Sequence, residues 1–416
     1  MQAASPEPQP SKPVDPKRHL PAAIPQHLPF LTLILLLLMT FYVVQGPLRS
    51  WLSGRYRAEA TFNTALDTIA DEFVEPRPPS ELVQNAIKGM VKGLGDRHSH
   101  YLSPTDNQRQ QETEAGVYAG IGVVLAQRTD KALIDKVFDS SPAARAGLKP
   151  GDELLAADGR NLTGLKSLEK ISSVLRGKAG TTVVLTIRRE GQQFDVPVTR
   201  GEIHRPVVEY RLLADGIGYL LLRDFPNNVH IEIENAVRTL QGRGVRGLVL
   251  DLRDNNGGFL DEAVRIADLF IADGVIVSTH GRHPRDDKSW PAISGGIAEA
   301  LPLIVLVNGE TASAAEILAG SLRDHGRARL VGVPTYGKAA VNRRFPLPDG
   351  SGLLITTGRY YLPKGEVIEG KGLQPEHVVE SLTAKEVEKL PKGASTPDRQ
   401  LLEAARLLSE QLGAAK

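Results

Sequence analysis

The sequence contains no cysteine in its 416 residues. That absence excludes a cysteine nucleophile, disulfide bonds and a cysteine-ligated zinc site. It is compatible with a location outside the cytoplasm but does not require one. Any nucleophilic or metal chemistry in this chain must therefore use other side chains.

An excess of charge of one sign is also absent. The chain carries 50 Lys and Arg residues against 49 Asp and Glu residues, a formal net charge of +1. A nucleic-acid-binding surface needs a marked basic excess, so this balance argues against nucleic acid as a partner. Hydrophobic residues make up 41% of the chain, as in ordinary globular proteins, and its length predicts two or three domains.

The histidines do not form a convincing metal site. Two groups of candidate ligands occur: His98 with His100, and His280 and His283 with Asp286 and Asp287. Neither spacing supplies the full ligand set of a structural zinc site. No metal is predicted, and the function proposed for the sequence requires no cofactor.

The N-terminal region contains one long hydrophobic run. Residues 1–27 are rich in proline and are predicted to be disordered. Residues 28–44 are almost all apolar. The length of this run is at the short limit for a helix that spans a bilayer, and it also suits the apolar part of a signal peptide. No small-x-small cleavage site follows closely, so residues 28–46 are interpreted as an uncleaved signal anchor. Basic residues on both sides of the run leave its orientation open.

A serine and a lysine lie in two segments of small residues. The apolar stretch 303–307 predicts a buried strand, and the pattern after Ser313 predicts a helix. A serine at such a turn lies near free backbone N–H groups at the positive end of the helix dipole. Lys338 is flanked by glycine, alanine and valine, and burial among them would favour the neutral amine, which can act as a base.

Together these two residues could supply the nucleophile and the general base that acyl transfer by a Ser–Lys pair requires. Each also has an ordinary structural interpretation. Ser313 would simply be a helix N-cap, and Lys338 a solvated surface side chain. Spacing alone does not decide between the two interpretations.

Three segments in a fixed order add a resemblance to a known family. They are residues 251–258, 311–316 and 336–338. Together they resemble the C-terminal processing, or tail-specific, peptidases, over roughly residues 62–379. The resemblance implies that Ser313 is the nucleophile and that Lys338 is its general base.

The same resemblance implies an oxyanion hole. Its donors would be the backbone N–H groups of Ala314 and of Gly257 or Gly258. A Gly–Gly pair at the end of a strand fits this role, because glycine lets the backbone approach a ligand closely.

Two positions depart from the family pattern. The family carries a glutamine four residues after the lysine, where it helps to hold the amine, and here that residue is Asn342. Asparagine has the same amide on a shorter side chain, so its carbonyl is expected to reach Lys338 at long range or through a water. The family glycine after the lysine is Ala339. Both changes bear on the efficiency of the pair.

Residues 115–201 resemble a PDZ domain. Within them, residues 119–125 resemble the carboxylate-binding loop and groove strand, and residues 141–155 resemble the helix, turn and strand that follow. Such a domain binds a free C-terminus by strand addition. The resemblance assigns peptide binding to Gly120, Ile121, Gly122 and Val123. The alternative is that the two glycines only permit a tight turn.

The remaining segments predict an α/β core. The predicted divisions are a helical N-terminal region 51–106, a protease core 204–383 and a C-terminal helical region 384–416. Continuous apolar strands at 248–252 and 303–307 alternate with helices, which predicts a largely parallel sheet with helical cover. The fold class is therefore an α/β (α+β) core with an inserted β-rich domain. Thr396 and Pro397 are expected to open the last helix.

Taken together, these inferences predict a membrane-anchored serine endopeptidase. It would bind protein or peptide substrates by their free C-terminal tails. The family resemblance places the catalytic part on the periplasmic side of the cytoplasmic, or inner, membrane. A homodimer and an adaptor protein are further partners that the sequence leaves open. Two rival functions also stay open. One is a PDZ-bearing pseudo-protease that binds tails without cutting, and the other is a protease activated by a separate partner protein.

Overall fold

The computed structural model describes residues 34–36, 38–40, 54–128, 131–165, 167–204, 206–382, 386 and 397–414. Two compact units divide the chain, residues 1–87 and 88–416. The predicted disordered tail 1–27 and most of the predicted anchor 28–46 lie outside the described residues. None of the helices in the described ranges combines the length and the apolar character needed to cross a membrane.

The first unit is helical where it is described. Its helices are α1 (Gly54–Glu72) and α2 (Pro79–Lys92), the second of which continues into the second unit. No residue of α1 is buried, whereas Val91 near the end of α2 is buried.

After the end of α2, the second unit continues with β1 (His100–Leu102) and α3 (Pro104–Ala115), and the PDZ-like region follows. That region begins and ends with β2 (Val117–Gly120) and β9 (Gly201–His204), which pair antiparallel with Val117 opposite His204. Between them lie β3 (Val123–Arg128), β4 (Lys131–Val137), α4 (Pro142–Arg145), β5 (Glu153–Ala157), β6 (Arg160–Asn161), α5 (Leu168–Leu175), β7 (Thr182–Arg189) and β8 (Gln192–Thr199). The main sheet has the order β3-β4-β5-β7-β8, with β6 beside β5, and it encloses a separate apolar core.

The protease core is built on a six-stranded sheet. Its strands are β10 (Val208–Leu212), β11 (Ile217–Leu222), β12 (Gly247–Asp251), β15 (Leu303–Val307), β16 (Ala328–Gly332) and β19 (His377–Val378), in that spatial order. Only β10 is antiparallel to its neighbour. Every residue of β12 and β15 is buried, as expected of central strands that are covered on both faces.

Helices cover both faces of this sheet. They are α6 (Val229–Gly242), α7 (Leu260–Asp268), α8 (Ala314–Asp324) and α9 (Arg399–Ala414). The first three enclose the larger apolar cluster, and α9 packs on the opposite face with Leu407 and Leu408 buried. In α6 the buried residues Val229, Ile233 and Val237 recur at helical spacing, which gives the helix one apolar face.

A second, antiparallel sheet lies beside the active-site segments. It contains β1 with β13 (Val275–Gly281), β14 (Lys288–Pro291), β17 (Ala340–Pro346) and β18 (Gly352–Tyr361). Strand β1 lies within the region predicted to be helical and pairs with β18, with His100 opposite Leu354. Strand β17 begins two residues after Lys338, so this sheet helps to position the segment that carries the lysine.

Candidate active site

A buried carboxylate joins the two residues predicted to be catalytic. Glu316, in the first turn of α8, is fully buried. Its Oε2 accepts the backbone N–H groups of Ser313 and Lys338, each at 2.9 Å. Its Oε1 accepts the Gly337 N–H at 2.8 Å and the Thr335 hydroxyl at 2.5 Å. Burial raises the pKa of Glu316, and these four donors act in the opposite direction.

Ser313 lies at the turn between β15 and α8. Its backbone angles, φ 57° and ψ −118°, are uncommon for a residue with a side chain. Backbone conformations of this kind cost free energy and cluster at functional sites. The residue also stands at the N-terminus of an 11-residue helix, where the dipole favours negative charge.

Lys338 is partly buried, and this burial lowers the pKa of its amine. The charges of Glu369, Asp96 and Glu316 oppose the shift without reversing it. Across the described ranges the amine has no ion pair and no hydrogen bond, and none to Ser313 Oγ. The structure thus brings the serine and lysine backbones into one site through Glu316, with no direct bond between the two side chains.

The loop after β12 lies against the serine turn. Gly257 and Gly258 have φ angles of 98° and 147°, and a Cβ at Gly257 would come within 2.9 Å of the Ala314 nitrogen, so glycine is required there. The Gly257 N–H donates to Asn255 Oδ1 at 2.9 Å. The N–H groups of Gly258 and Ala314 have no acceptor among the residues that the structure describes. Of the two predicted glycines, Gly258 is therefore the one with an available donor.

A polar network holds this loop from the other side. Arg253 pairs with Asp251 and forms a two-pronged contact with Asp398, at 2.9 and 2.8 Å. Asp398 directly precedes α9, so the contact joins the C-terminal helix to the glycine loop. Asn255 is fully buried, and its Nδ2 donates to the Leu222 carbonyl at 2.8 Å.

Asn342, predicted to hold the lysine amine, lies on β17. Its Nδ2 donates to the His98 carbonyl at 2.8 Å and to the Thr356 hydroxyl at 3.3 Å. Its Oδ1 is buried and accepts no hydrogen bond from the described residues. A direct bond from Asn342 to Lys338 is therefore not formed. A buried amide oxygen without a partner is unusual, and here it lies on the strand that follows the lysine.

Sequence analysis missed a second carboxylate in the site, Glu369. It accepts the Ala339 N–H at 2.9 Å, lies 3.0 Å from His98 Nε2, and accepts a bond from Arg97 at 2.9 Å. Burial by itself raises the pKa of Glu369, but these contacts outweigh it and lower the pKa. Ala339 is fully buried, so the methyl group at this position is accommodated. No local spacing could have linked Glu369 to the lysine, because only the fold brings the two segments together.

The predicted peptide-binding loop, residues 120–123, runs from the last residue of β2 to the first residue of β3. The N–H groups of Ile121 and Gly122 donate to no acceptor within the described part of the chain. A cavity of about 340 Å³ runs along β3 and α5. Its apolar walls are formed by Val123, Leu125 and Leu168. An extended peptide could add to the edge of β3 in this groove.

Comparison with known proteins agrees with these features. Residues 216–379 match the family model of peptidase family S41, and residues 119–199 match that of the PDZ domain. A carboxy-terminal-processing protease of Bartonella bacilliformis is 35% identical over 331 residues, which cover 78% of this chain and 76% of that protein. A protein of Staphylococcus haemolyticus named probable CtpA-like serine protease is 34% identical over 332 residues, or 80% of this chain and 66% of that protein.

A solved structure shows the same fold. It is a crystal structure of a candidate S41 protease from Bacteroides fragilis, 21% identical, with a TM-score of 0.52. The match covers 78% of this chain and 90% of that one.

The fold and these similarities define the class: the protein is a serine peptidase with a PDZ domain. The chain belongs to peptidase family S41, the C-terminal processing peptidases. The predicted fold class, family and enzyme class are thereby confirmed. The chain spans about two thirds of the length of the staphylococcal relative.

Proposed function

We propose that this chain is a membrane-anchored serine endopeptidase in which Ser313 and Lys338 form the catalytic dyad. The observation that carries the proposal is the shared acceptor, since Glu316 Oε2 binds the backbone N–H groups of both residues. The lowered pKa of Lys338 supports its role as a base, because it raises the neutral fraction of the amine. The missing direct bond does not argue against this pair, because catalytic hydrogen bonds often tighten only when substrate binds.

The reaction would proceed by acyl transfer. Ser313 Oγ attacks the peptide carbonyl carbon while Lys338 Nζ takes the hydroxyl proton. The carbonyl oxygen becomes an oxyanion between the N–H groups of Ala314 and Gly258. The lysine ammonium then gives its proton to the departing amine as the C–N bond breaks. Lys338 next takes a proton from a water, which attacks the acyl carbon. The lysine ammonium then returns this proton to Ser313 Oγ as the acyl C–O bond breaks and the carboxylate product leaves.

Substrates would be selected by their tails. The available N–H groups of Ile121 and Gly122 support capture of a terminal carboxylate at the head of the β3–α5 groove. Gly120 and Val123 frame this loop. Protein or peptide substrates with free C-termini are therefore the proposed partners.

The proposed location rests on the N-terminal sequence and on the family. The apolar run 28–46 supports a single anchor in the cytoplasmic membrane, with the catalytic part on the periplasmic side. A homodimer or an adaptor protein is compatible with this arrangement. Protease accessibility of the catalytic part in intact and in osmotically opened cells tests the orientation.

The dyad is tested by cleavage of an unfolded protein with a free tail. The full-length parent should cut it, and Ser313→Ala and Lys338→Ala should each abolish turnover, with little further loss in the double variant. Ser289→Ala and Lys364→Ala, both at exposed positions, are matched controls. Substantial cleavage by Lys338→Ala would overturn the dyad. A parent that binds the tail and never cuts would instead support the pseudo-protease, and turnover only after a partner is added would support the partner-activated protease.

A further inference from the structure

A guanidinium group from a distant part of the sequence lies against the lysine segment. Arg97 Nη2 donates to the Gly337 carbonyl at 3.0 Å and to Glu369 Oε1 at 2.9 Å. The same guanidinium lies over the Tyr336 ring, with its central carbon 5.4 Å from the ring centroid. Arg97 therefore contacts the two residues directly before Lys338 and a carboxylate of the site.

The backbone on both sides of Arg97 is held in place. His98 and Ser99 are buried, and Ser99 Oγ accepts the N–H group of Thr356 in β18 at 3.0 Å. The same hydroxyl donates to Asp96 Oδ2 at 2.5 Å. The base of the arginine side chain is thus tied to the antiparallel sheet, while its guanidinium reaches the lysine segment.

The contact between Arg97 and Glu369 has an ordinary interpretation as a surface ion pair. The Arg97 side chain is 51% exposed, so the pair contributes little to stability. The place of Glu369 gives the pair a second effect. Burial lowers the pKa of Lys338, and among the charges that oppose this shift the charge of Glu369 is the strongest. A cation bound to Glu369 therefore favours the neutral amine that a general base requires.

We infer that Arg97 is a positioning residue for Lys338, which fixes the carbonyl just before the lysine and offsets part of the negative charge of Glu369. Arginine suits both tasks, because its planar guanidinium presents several N–H groups in a rigid arrangement. The role requires no contact with substrate, so loss of Arg97 should affect turnover and leave substrate binding intact. This inference rests on the proposed catalytic dyad.

The inference is tested by pH–rate profiles of full-length variants, with the unfolded, tailed protein as substrate. In Arg97→Gln, kcat at pH 7 should fall at least about threefold with little change in KM. The midpoint of kcat/KM should move to higher pH, because the charge of Glu369 is no longer offset. Arg97→Lys keeps the positive charge and should bring the midpoint back toward the parental value. The amine also faces Asp96 and Glu316, and Glu369 also faces His98, which both variants retain.

A second background shows whether Arg97 acts through Glu369. In a Glu369→Gln protein the carboxylate is gone, so adding Arg97→Gln should move the midpoint less than it does in the parent. Arg188→Gln is the matched control, because it removes a guanidinium of similar exposure, 41%, from the carboxylate of Glu153 in the PDZ domain. This control should keep the parental kcat and midpoint.

Three results would overturn the inference. They are a parental midpoint in Arg97→Gln, an equal shift with and without Glu369, and a loss of thermal stability in Arg97→Gln with an unchanged pH profile, which would indicate a merely structural role. Failure of the proposed dyad looks different. Lys338→Ala would then still cleave the substrate, and the parent's own profile would show no midpoint.

Discussion

Ser313 and Lys338 donate their backbone N–H groups to one and the same atom, Oε2 of Glu316, at equal distances of 2.9 Å. The two residues are carried by different elements, a helix start and the approach to an edge of the antiparallel sheet. If the backbone of either residue shifts, its hydrogen bond to Glu316 Oε2 must stretch or break, while the other residue remains bonded to that atom. Glu316 is therefore a positioning residue for the proposed dyad, although it need not contact substrate.

Replacing this carboxylate by an amide is expected to impair catalysis. In Glu316→Gln one oxygen becomes an NH₂ group, which cannot accept a hydrogen bond. Depending on how the amide turns, either the N–H groups of Ser313 and Lys338 or the N–H group of Gly337 lose their acceptor. We expect kcat to fall at least about tenfold with little change in KM. Unpaired buried donors should also cost about 1–3 kcal/mol of unfolding free energy. Exposed Glu310→Gln, in the same segment, is the control, and parental kcat in Glu316→Gln would contradict the role.

The pH dependence of activity should report the lysine. Only the neutral amine can take the serine proton, so kcat/KM should rise with pH. Burial lowers the pKa of Lys338, so the midpoint should lie below the ordinary lysine value of about 10.4. The negative charge of Glu369 raises the pKa of Lys338, so Glu369→Gln should move the midpoint to still lower pH. A profile without a midpoint between about pH 6 and 10 would count against a lysine base.

Changes at Asn342 should tune the rate. Its Oδ1 has no partner among the described residues. A glutamine here would extend the reach of the amide oxygen by one methylene, and we expect this to favour a bond to the lysine amine. Asn342→Gln should leave the rate unchanged or raise it, by up to about tenfold, since one hydrogen bond contributes about 0.5–1.5 kcal/mol. Asn342→Leu should lower it. If the leucine variant matched the parent in kcat, this position would have no catalytic role.

The contact between Arg253 and Asp398 should contribute to stability in a pH-dependent way. Burial by itself raises the pKa of Asp398, but the bonds from Arg253 outweigh it and lower the pKa below its usual range. The stabilisation is therefore present above the unfolded pKa and is lost as pH falls through the folded one. Asp398→Asn should cost about 1 kcal/mol at pH 7, with a smaller difference below about pH 4. Glu403→Gln, in a helical surface pair with Arg406, should change stability by less, as chemical denaturation can show.

Much of the core could be predicted from local pattern. The stretch 303–307 is a buried parallel strand. Such strands are apolar throughout, so this one could be recognised from its own residues without knowing which strands lie beside it. Glu316 could also have been assigned, since a Glu three residues after a Ser at a helix start is the spacing of a capping box. Glu369 could not, because its contacts with Ala339 and His98 depend on tertiary structure alone.

The failures have the same cause. Strand β1 lies in a region predicted to be helical. It forms by pairing with β18, which is far away in the sequence, so local residue patterns do not indicate the pairing. The last helix was predicted to be capped by Thr396, which lies outside the described residues. In the structure the helix begins at Arg399, and Asp398 Oδ1 accepts the Leu401 N–H at 3.0 Å. Sequence analysis missed Asp398 because its second role, the contact with Arg253, depends on a residue that is distant in the sequence.

The pairing of β2 with β9 has a consequence for how this protein can be altered. The strands by which the chain enters and leaves the PDZ domain run side by side, and residues opposite each other in such a pair are only about 4.5–5.5 Å apart. The whole domain therefore departs from and returns to nearly one point on the protease core. A short turn could close that gap, so we expect that recombination could replace the domain by another binding domain while the core strands keep their register.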